Sequence, residues 1–359
     1  MAIFNSSVAT NWKFIALGTL VFVWIISSLQ SHSVNPLSSV LNQVHSDQSQ
    51  DDSPPSVSAL LDVLPLPDEE PFEDTGSIPA KDDTRPLIIY TYSESPNARE
   101  NLKFFLAKGV HGAADFFFVF NGATNATELI PSEPNIKVIK RENKCFDLGT
   151  VGEVLMKDNL WKGYKRFITL NASIRGPFFP TYASKSCWSD VFLNRITEKV
   201  KLVGTTFNCQ PRPHLQSMLF ATDDVGMGVL LDPALAKIAS IDDFWGTKDD
   251  PVGFTQCYET LYLAVHSEVG ITELMRSQGY EVDSMMTAFQ AATPATYCEK
   301  NGFPEDILYD HKYYGANIHP YETVFIKANR NIDTTLLEDM TKWHLDEATS
   351  SWQTCRAKD

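Results

Sequence analysis

The sequence predicts one α/β domain built on a mainly parallel sheet, from about residue 85 to the C-terminus. Three observations carry that expectation. Strand-like apolar runs alternate with helix-like stretches through this region; all six cysteines fall within it; and the preceding quarter of the chain is too polar and too rich in proline to bury a core. Of the 359 residues, 43% are apolar and 11% aromatic, which supplies one large core, and no internal repeat divides it.

The run Leu87 to Tyr92 reads as a buried strand. Ser95 then stands where a helix N-cap belongs, Pro96 at the first helical position, and Ala98, Leu102, Phe105 and Leu106 at helical spacing. Further strands are expected at 116–120, 136–139, 167–170 and 202–206, and helices near 151–158, 189–197 and 255–266. In a parallel sheet of this kind ligands sit at the carboxyl ends of the strands, so the residues just after each strand are the candidates for chemistry.

The N-terminal part divides into a cytosolic tail (1–13), a membrane signal anchor (14–29) and a lumenal stalk (30–84). Residues 14–29 carry no charge and follow Lys13. As a helix they span about 24 Å, short of an average ~30 Å hydrocarbon core but within reach of thin membranes. A cleaved signal peptide is the alternative, giving a secreted chain. Lys13 ahead of the span and acids beyond it orient the protein as a single-pass type II species of the Golgi or endoplasmic reticulum, with its domain lumenal. Pro54, Pro55, Pro65, Pro67 and Pro71 interrupt any periodicity in the stalk.

The formal charge is −15, and residues 1–84 hold eleven acids against Lys13 and Lys81, so −9 lies there and −6 in the domain. A mildly acidic domain does not suit general nucleic-acid binding. Cys145, Cys187, Cys209, Cys257, Cys298 and Cys355 include no C-x-x-C pair, which favours disulfides over zinc in a lumenal setting and leaves their connectivity open. G-x-S-x-G, H-E-x-x-H, Walker-type and G-x-G-x-x-G signatures are absent from the sequence.

Three segments suggest chemistry. Arg141 to Leu155 takes a polar, glycine-containing turn into a helix; Tyr164 to Pro180 forms a strand ending at Asn171, Ser173 and Arg175; and His319 to Lys327 adds a histidine and a cation. A loop and helix flanking a donor, followed by a strand that ends at its diphosphate, is the layout of a nucleotide-sugar transferase. Many such enzymes place D-x-D at that strand end to hold Mg²⁺ or Mn²⁺. Here the triplet is Asn171-Ala172-Ser173 and no D-x-D occurs in the chain, so no metal is expected as a requirement and cationic side chains are expected to offset the leaving diphosphate, with manganese or magnesium left open.

The runs D-L-G-T (147–150), L-N-A-S-I-R-G-P-F (170–178), Trp188, K-L-V-G-T-T (201–206) and H-L-Q-S-M (214–218) together resemble the rhamnan synthesis F family and its eukaryotic glycosyltransferase-like relatives, most clearly over 141–218 and more weakly at 319–327. That resemblance implies a GT-A-like nucleotide-sugar-transferase fold and sugar transfer, hexosyl or deoxyhexosyl. It departs from the family pattern at Ala172, where an acid is more usual.

The donor-binding candidates are Asp147, Gly149, Asn171, Ser173, Arg175, His319 and Lys327; the catalytic candidates are Asp223, Asp224 and His214. Each has a plain structural counterpart. Asp147 and the Asp223–Asp224 pair also suit helix N-termini, Arg175 a structural salt bridge, Lys327 a solvated surface, and His214 a satisfied structural site. Asn125 and Asn171 both begin N-x-S/T sequons, with Asn125, after the Asn121-Gly122 turn, the better glycan acceptor. The function these features favour is transfer from a nucleotide-diphosphate sugar to a lumenal glycan, glycoprotein or glycolipid. The alternative is a catalytically silent glycan-binding protein of the same fold.

Overall fold

In chain order the larger elements are β1 (Leu87–Ser93), α1 (Pro96–Lys108), β2 (Asp115–Asn121), β3 (Ile136–Arg141), α2 (Asp147–Met156), β4 (Arg166–Asn171), β5 (Ile174–Arg175) and α3 (Trp188–Leu193). There follow β6 (Val200–Gly204), β7 (Phe207–Asn208), β8 (His214–Leu215), β9 (Leu219–Asp223), α4 (Asp224–Leu231), α5 (Pro233–Ala239), α6 (Leu261–Ser277), β10 (Glu281–Ser284), β11 (Ile326–Lys327) and α7 (Thr334–Asp346). This is a computed structural model, and it describes residues 85–292, 296–301 and 305–355. The expected anchor and stalk lie outside the described residues, and among those described no helix is long and apolar enough to cross a membrane.

The main sheet has seven strands in the order β10-β6-β9-β4-β1-β2-β3. Its pairings β1–β2, β1–β4, β2–β3 and β6–β10 are parallel, whereas β9 runs antiparallel between β4 and β6. The mixed α/β fold with a mainly parallel sheet is therefore the one the sequence predicts. β1 and β2 are buried along almost their whole length, as strands covered on both faces must be, and this explains continuous apolar runs such as FFFVF. Tyr90, Phe105, Phe116, Phe118 and Trp188 pack together in the core between the sheet and α1.

Local rules act where the sequence places them. Ser95 caps α1 by accepting from Ala98 N, with Pro96 next to it, and Asp223 caps α4 by accepting from Gly226 N. The helix expected at 255–266 instead begins at Leu261. Thr260 caps it, and the residues before it turn through Gly253 at φ +83°. The cysteines form three disulfides, Cys145–Cys257, Cys187–Cys355 and Cys209–Cys298, and among the described residues no cysteine is free.

Candidate functional site

The parallel strands deliver their carboxyl ends to one edge of the sheet, and the antiparallel β9 begins at that same edge. Asn171 N at the end of β4 donates to Met218 O, just before β9, at 3.2 Å. Two further elements reach this edge. α2 starts here with Asp147, and β11 pairs antiparallel with β5, carrying Lys327 opposite Ile174.

Glycines fit α2 against its neighbour. A Cβ on Gly149 would stand 2.6 Å from Gln256 O, and one on Gly152 would stand 1.9 Å from Phe254 O, so the 254–258 segment lies flat on this helix. Phe146 N donates to Tyr258 O at 2.9 Å, and the Cys145–Cys257 disulfide fastens the same join. Gly149 thus permits the close approach of the 254–258 segment to α2.

Asp147 does not cap α2 through its side chain; its carboxylate accepts from Asn171 Nδ2. Asn171 Oδ1 is occupied too, accepting from Ser173 N at 3.1 Å and Ser173 Oγ at 2.6 Å. The hydrogen bonds of Asn171 and Ser173 therefore close on each other and on Asp147. Asn101, fully buried, holds the turn from behind by donating to Ala172 O at 2.8 Å.

Opposite this turn stands Glu268 of α6. Its carboxylate accepts from Ser217 Oγ, and His214 Nε2 lies 3.7 Å away, while His214 Nδ1 donates to Arg212 O at 2.7 Å. Burial alone would raise the Glu268 carboxyl, but His214, Lys327 and Ser217 outweigh it and bring it down to about 2. The Asp147 carboxyl is raised, chiefly by burial and further by Glu268, against the lowering effect of Asn171 and Lys327. Lys327 is lowered by burial and by Arg330, while Glu268, Asp306 and Asp147 pull it back up. Its ammonium makes neither hydrogen bond nor ion pair among the described residues. Beyond it, Gln216 and Arg330 both bind Asp306, at 3.2 and 3.3 Å, and Arg330 lies over the Tyr309 ring. A shallow apolar recess, open to solvent, includes Lys327 and is walled by Leu308, Ile318, Ile326 and Leu336.

The structure thus gathers Asp147, Asn171, Ser173, His214 and Lys327 at one edge and adds Glu268, which the sequence reading missed. A lone glutamate inside a helix gives no motif; only the fold brings it to Asp147.

The other candidates lie elsewhere. In the β5–β11 pair Lys327 shares a face with Ile174, and side chains alternate along a strand, so Arg175 points to the opposite face. There its Nε donates to Asn101 Oδ1 at 2.8 Å and its Nη1 to Thr341 Oγ1 at 3.2 Å. Arg175 is thus held by Asn101 and Thr341, on the face away from Lys327. Asp223 pairs with Arg166, the first residue of β4, so the carboxyl end of β9 is about 17 Å along the strand from Asn171. Asp223 and Asp224 bind Lys201 and Lys165 there, both at 2.6 Å, and take no part in the cluster. His319 is exposed and caps the short helix Pro320–Thr323, its Nδ1 accepting from Tyr321 N. Asn125 is exposed, with its side-chain oxygen accepting from Arg99 at 2.7 Å.

One further constellation has a hydrolase's residue types. Ser240 Oγ lies 2.8 Å from His266 Nε2, and His266 Nδ1 lies 3.0 Å from Asp243 Oδ2. Ser240 and His266 are buried, and Ser240 Oγ donates to Asp250 O and Thr247 O, so this line ties a loop together and presents no nucleophile. Among the described residues, the close groups of three potential metal ligands are His111–Cys187–Cys355 and Cys145–Glu153–Cys257, whose sulfurs are in disulfides.

No family model matches the chain, and no curated protein matches it. Solved structures similar to it include the apo-form glycosyltransferase GlyE of Streptococcus pneumoniae TIGR4, at TM-score 0.36 and 8% identity over 68% of this chain and 54% of that one. Others are the Pyrobaculum calidifontis mannosyltransferase PcManGT in complex with GDP-Man and Mn²⁺, at 0.32 and 12% over 56% and 54%, and a putative nucleotide-diphospho-sugar transferase of Desulfovibrio desulfuricans G20, at 0.33 and 10% over 60% and 95%. The chain spans about half the length of the first two. Likenesses this distant leave the chemistry to the residues themselves.

Proposed function

We propose that the protein is a lumenal glycosyltransferase that moves a sugar from a nucleotide diphosphate to a hydroxyl of a glycan, glycoprotein or glycolipid. One observation carries this reading. Lys327, whose ammonium makes no hydrogen bond or ion pair among the described residues, acts electrostatically on two carboxylates, Asp147 and Glu268, at the carboxyl edge of a mainly parallel sheet. Opposite charges that act on one another without pairing leave a place for a ligand bearing both anionic oxygens and hydroxyls, and a sugar phosphate has both.

In the reaction, an acceptor hydroxyl oxygen bonds to the anomeric carbon as the bond from that carbon to the diphosphate oxygen breaks. The electron pair leaves with the nucleoside diphosphate, whose charge Lys327 offsets, and the hydroxyl proton passes to a carboxylate. Asp147, raised by burial, is the stronger proton acceptor of the two carboxylates. The triplet at the end of β4 does not suit a divalent metal, since Asn171 Oδ1 is already taken by Ser173, Ala172 has no side-chain ligand and its carbonyl accepts from Asn101. We therefore propose a metal-independent reaction. The anchor and lumenal placement expected from residues 1–84 belong to the same proposal.

Calorimetric titration of the purified full-length chain with uridine, guanosine and thymidine diphosphate sugars, in chelator, tests this. Binding is expected for one of them, and Lys327→Met should weaken it by about 1.5–3 kcal/mol, the range for a hydrogen bond to a charged group. Arg175→Ala should lower folding stability and leave the affinity of folded molecules unchanged. Binding only with Mn²⁺ or Mg²⁺ would overturn the metal-free mechanism. No binding in either condition would favour the silent glycan-binding alternative, which the internally satisfied Asn171 and Ser173 also suit.

A further inference from the structure

We infer that Asn171 is a positioning residue: it holds the Asp147 carboxylate at the end of β4, so the acid there is supplied by α2 rather than by β4 itself. This rests on the proposed function for its consequence but not for its geometry. Asn171 is fixed in one orientation. Its Nδ2 donates to Asp147 while its Oδ1 accepts both polar hydrogens of Ser173. Turning the amide over would set its oxygen against a carboxylate and its NH₂ against the Ser173 N–H, losing the bonds to Asp147 and to Ser173 N. The backbone beneath cannot follow a displaced side chain, because Asn101 grips Ala172 O and Asn171 N is bound to Met218 O.

From the other side, Asp147 is the first residue of α2, and that helix cannot slide, held as it is by the Cys145–Cys257 bridge and the contacts at Gly149 and Gly152. Two rigid elements are therefore joined at the site by one side-chain hydrogen bond. The sequon at 171 gains a different meaning too. The nitrogen a glycan would occupy is the one that holds Asp147.

The charged groups acting on Asp147 are Glu268 from α6 and Lys327 from β11, while β4 contributes the neutral Asn171. Removing the amide would take away a hydrogen bond to the ionised form and leave the repulsion from Glu268, so Asp147 should protonate more readily.

The experiment is a pH titration of the full-length chain labelled with carbon-13 at the aspartate carboxyls, the Asp147 signal being assigned by its loss in Asp147→Asn. In Asn171→Ala the Asp147 midpoint should rise by about one to two pH units. In Asn171→Asp, which is isosteric and keeps an acceptor for Ser173, the rise should be at least as large, because a like charge replaces the donor. Calorimetry with UDP, run in parallel, should show affinity falling about tenfold or more, with its pH dependence displaced in the same direction. An Asp147 midpoint unmoved in both variants, in chains that retain the wild-type circular dichroism and melting temperature, overturns the inference whatever UDP does. A displaced midpoint with no UDP binding even by the wild-type chain keeps the inference and removes nucleotide binding as its purpose.

Discussion

His111 is completely buried, with Phe116 and Trp188 ring centroids 5.1 and 6.1 Å away, Ala113 N donating to its Nδ1 and Ser189 beside its Nε2. Burial, aided by the nearby Arg85 charge, pushes its imidazole down to about 3. The unfolded chain takes up a proton on this histidine below about pH 6.5 and the folded chain does not, so stability is lost as pH falls from there toward 3. The slope approaches ~1.4 kcal/mol per pH unit within that window. Glu268, also depressed, contributes stability lost only below its unfolded value of 4.5, so the two are separable. Urea unfolding at pH 7.5 and 5 should show the wild-type chain losing more stability than His111→Gln. An equal loss in both would mean that His111 is protonated in the folded protein.

Strand existence was legible in the sequence, but strand direction was not, and direction decides which acids can act. The expected strands near 87, 116, 136, 167 and 202 all form, each carrying apolar, mostly β-branched or aromatic residues over most of its length. β9 was not anticipated: it is only five residues long and ends in polar Thr222 and Asp223. An acid pair after a strand looks like the carboxyl edge of a parallel sheet, yet β9 runs antiparallel, so Asp223 and Asp224 emerge at the far edge, where Asp223 caps α4 and both pair with lysines. The same limit hid the division between Arg175 and Lys327, since a two-residue pairing places them on opposite faces. Asp147, Asn171 and Lys327 were legible as candidates from local pattern and family resemblance, whereas Glu268 depended on where α6 packs. That packing at α2 gives an element-scale prediction. Gly152→Ala, whose Cβ would stand 1.9 Å from Phe254 O, should destabilise the fold by about 1–3 kcal/mol in urea unfolding. Gly228→Ala on α4, whose Cβ meets only Trp161 at 3.7 Å, should stabilise it by up to ~1 kcal/mol through helix propensity. Equal effects would show that the 254–258 segment does not lie on α2.

At the scale of the whole molecule the three disulfides join segments that the sequence leaves far apart. Cys145–Cys257 secures the helix that carries Asp147, Cys209–Cys298 fastens the loop after β7, and Cys187–Cys355 binds the chain's last described residue to the start of α3. Their sequence separations are 112, 89 and 168 residues, and closing loops this long removes much of the unfolded chain's freedom, typically ~2–4 kcal/mol for each bridge. Bonding of this density suits an oxidising compartment and accords with the lumenal placement proposed from Lys13 and the apolar run after it. The test is peptide mapping by mass spectrometry of the full-length chain, alkylated and digested without reduction. It should recover the three cross-linked pairs 145–257, 187–355 and 209–298. Graded reduction in native buffer should then lower the melting temperature stepwise, and opening the 145–257 bridge should cost nucleotide-sugar binding more than opening 187–355, since only the former borders Asp147. Six alkylated free thiols from protein made in an oxidising compartment would count against both the bridges and the lumenal placement. A different pairing would keep the placement and refute the join between α2 and the 254–258 segment on which the geometry at Asp147 depends.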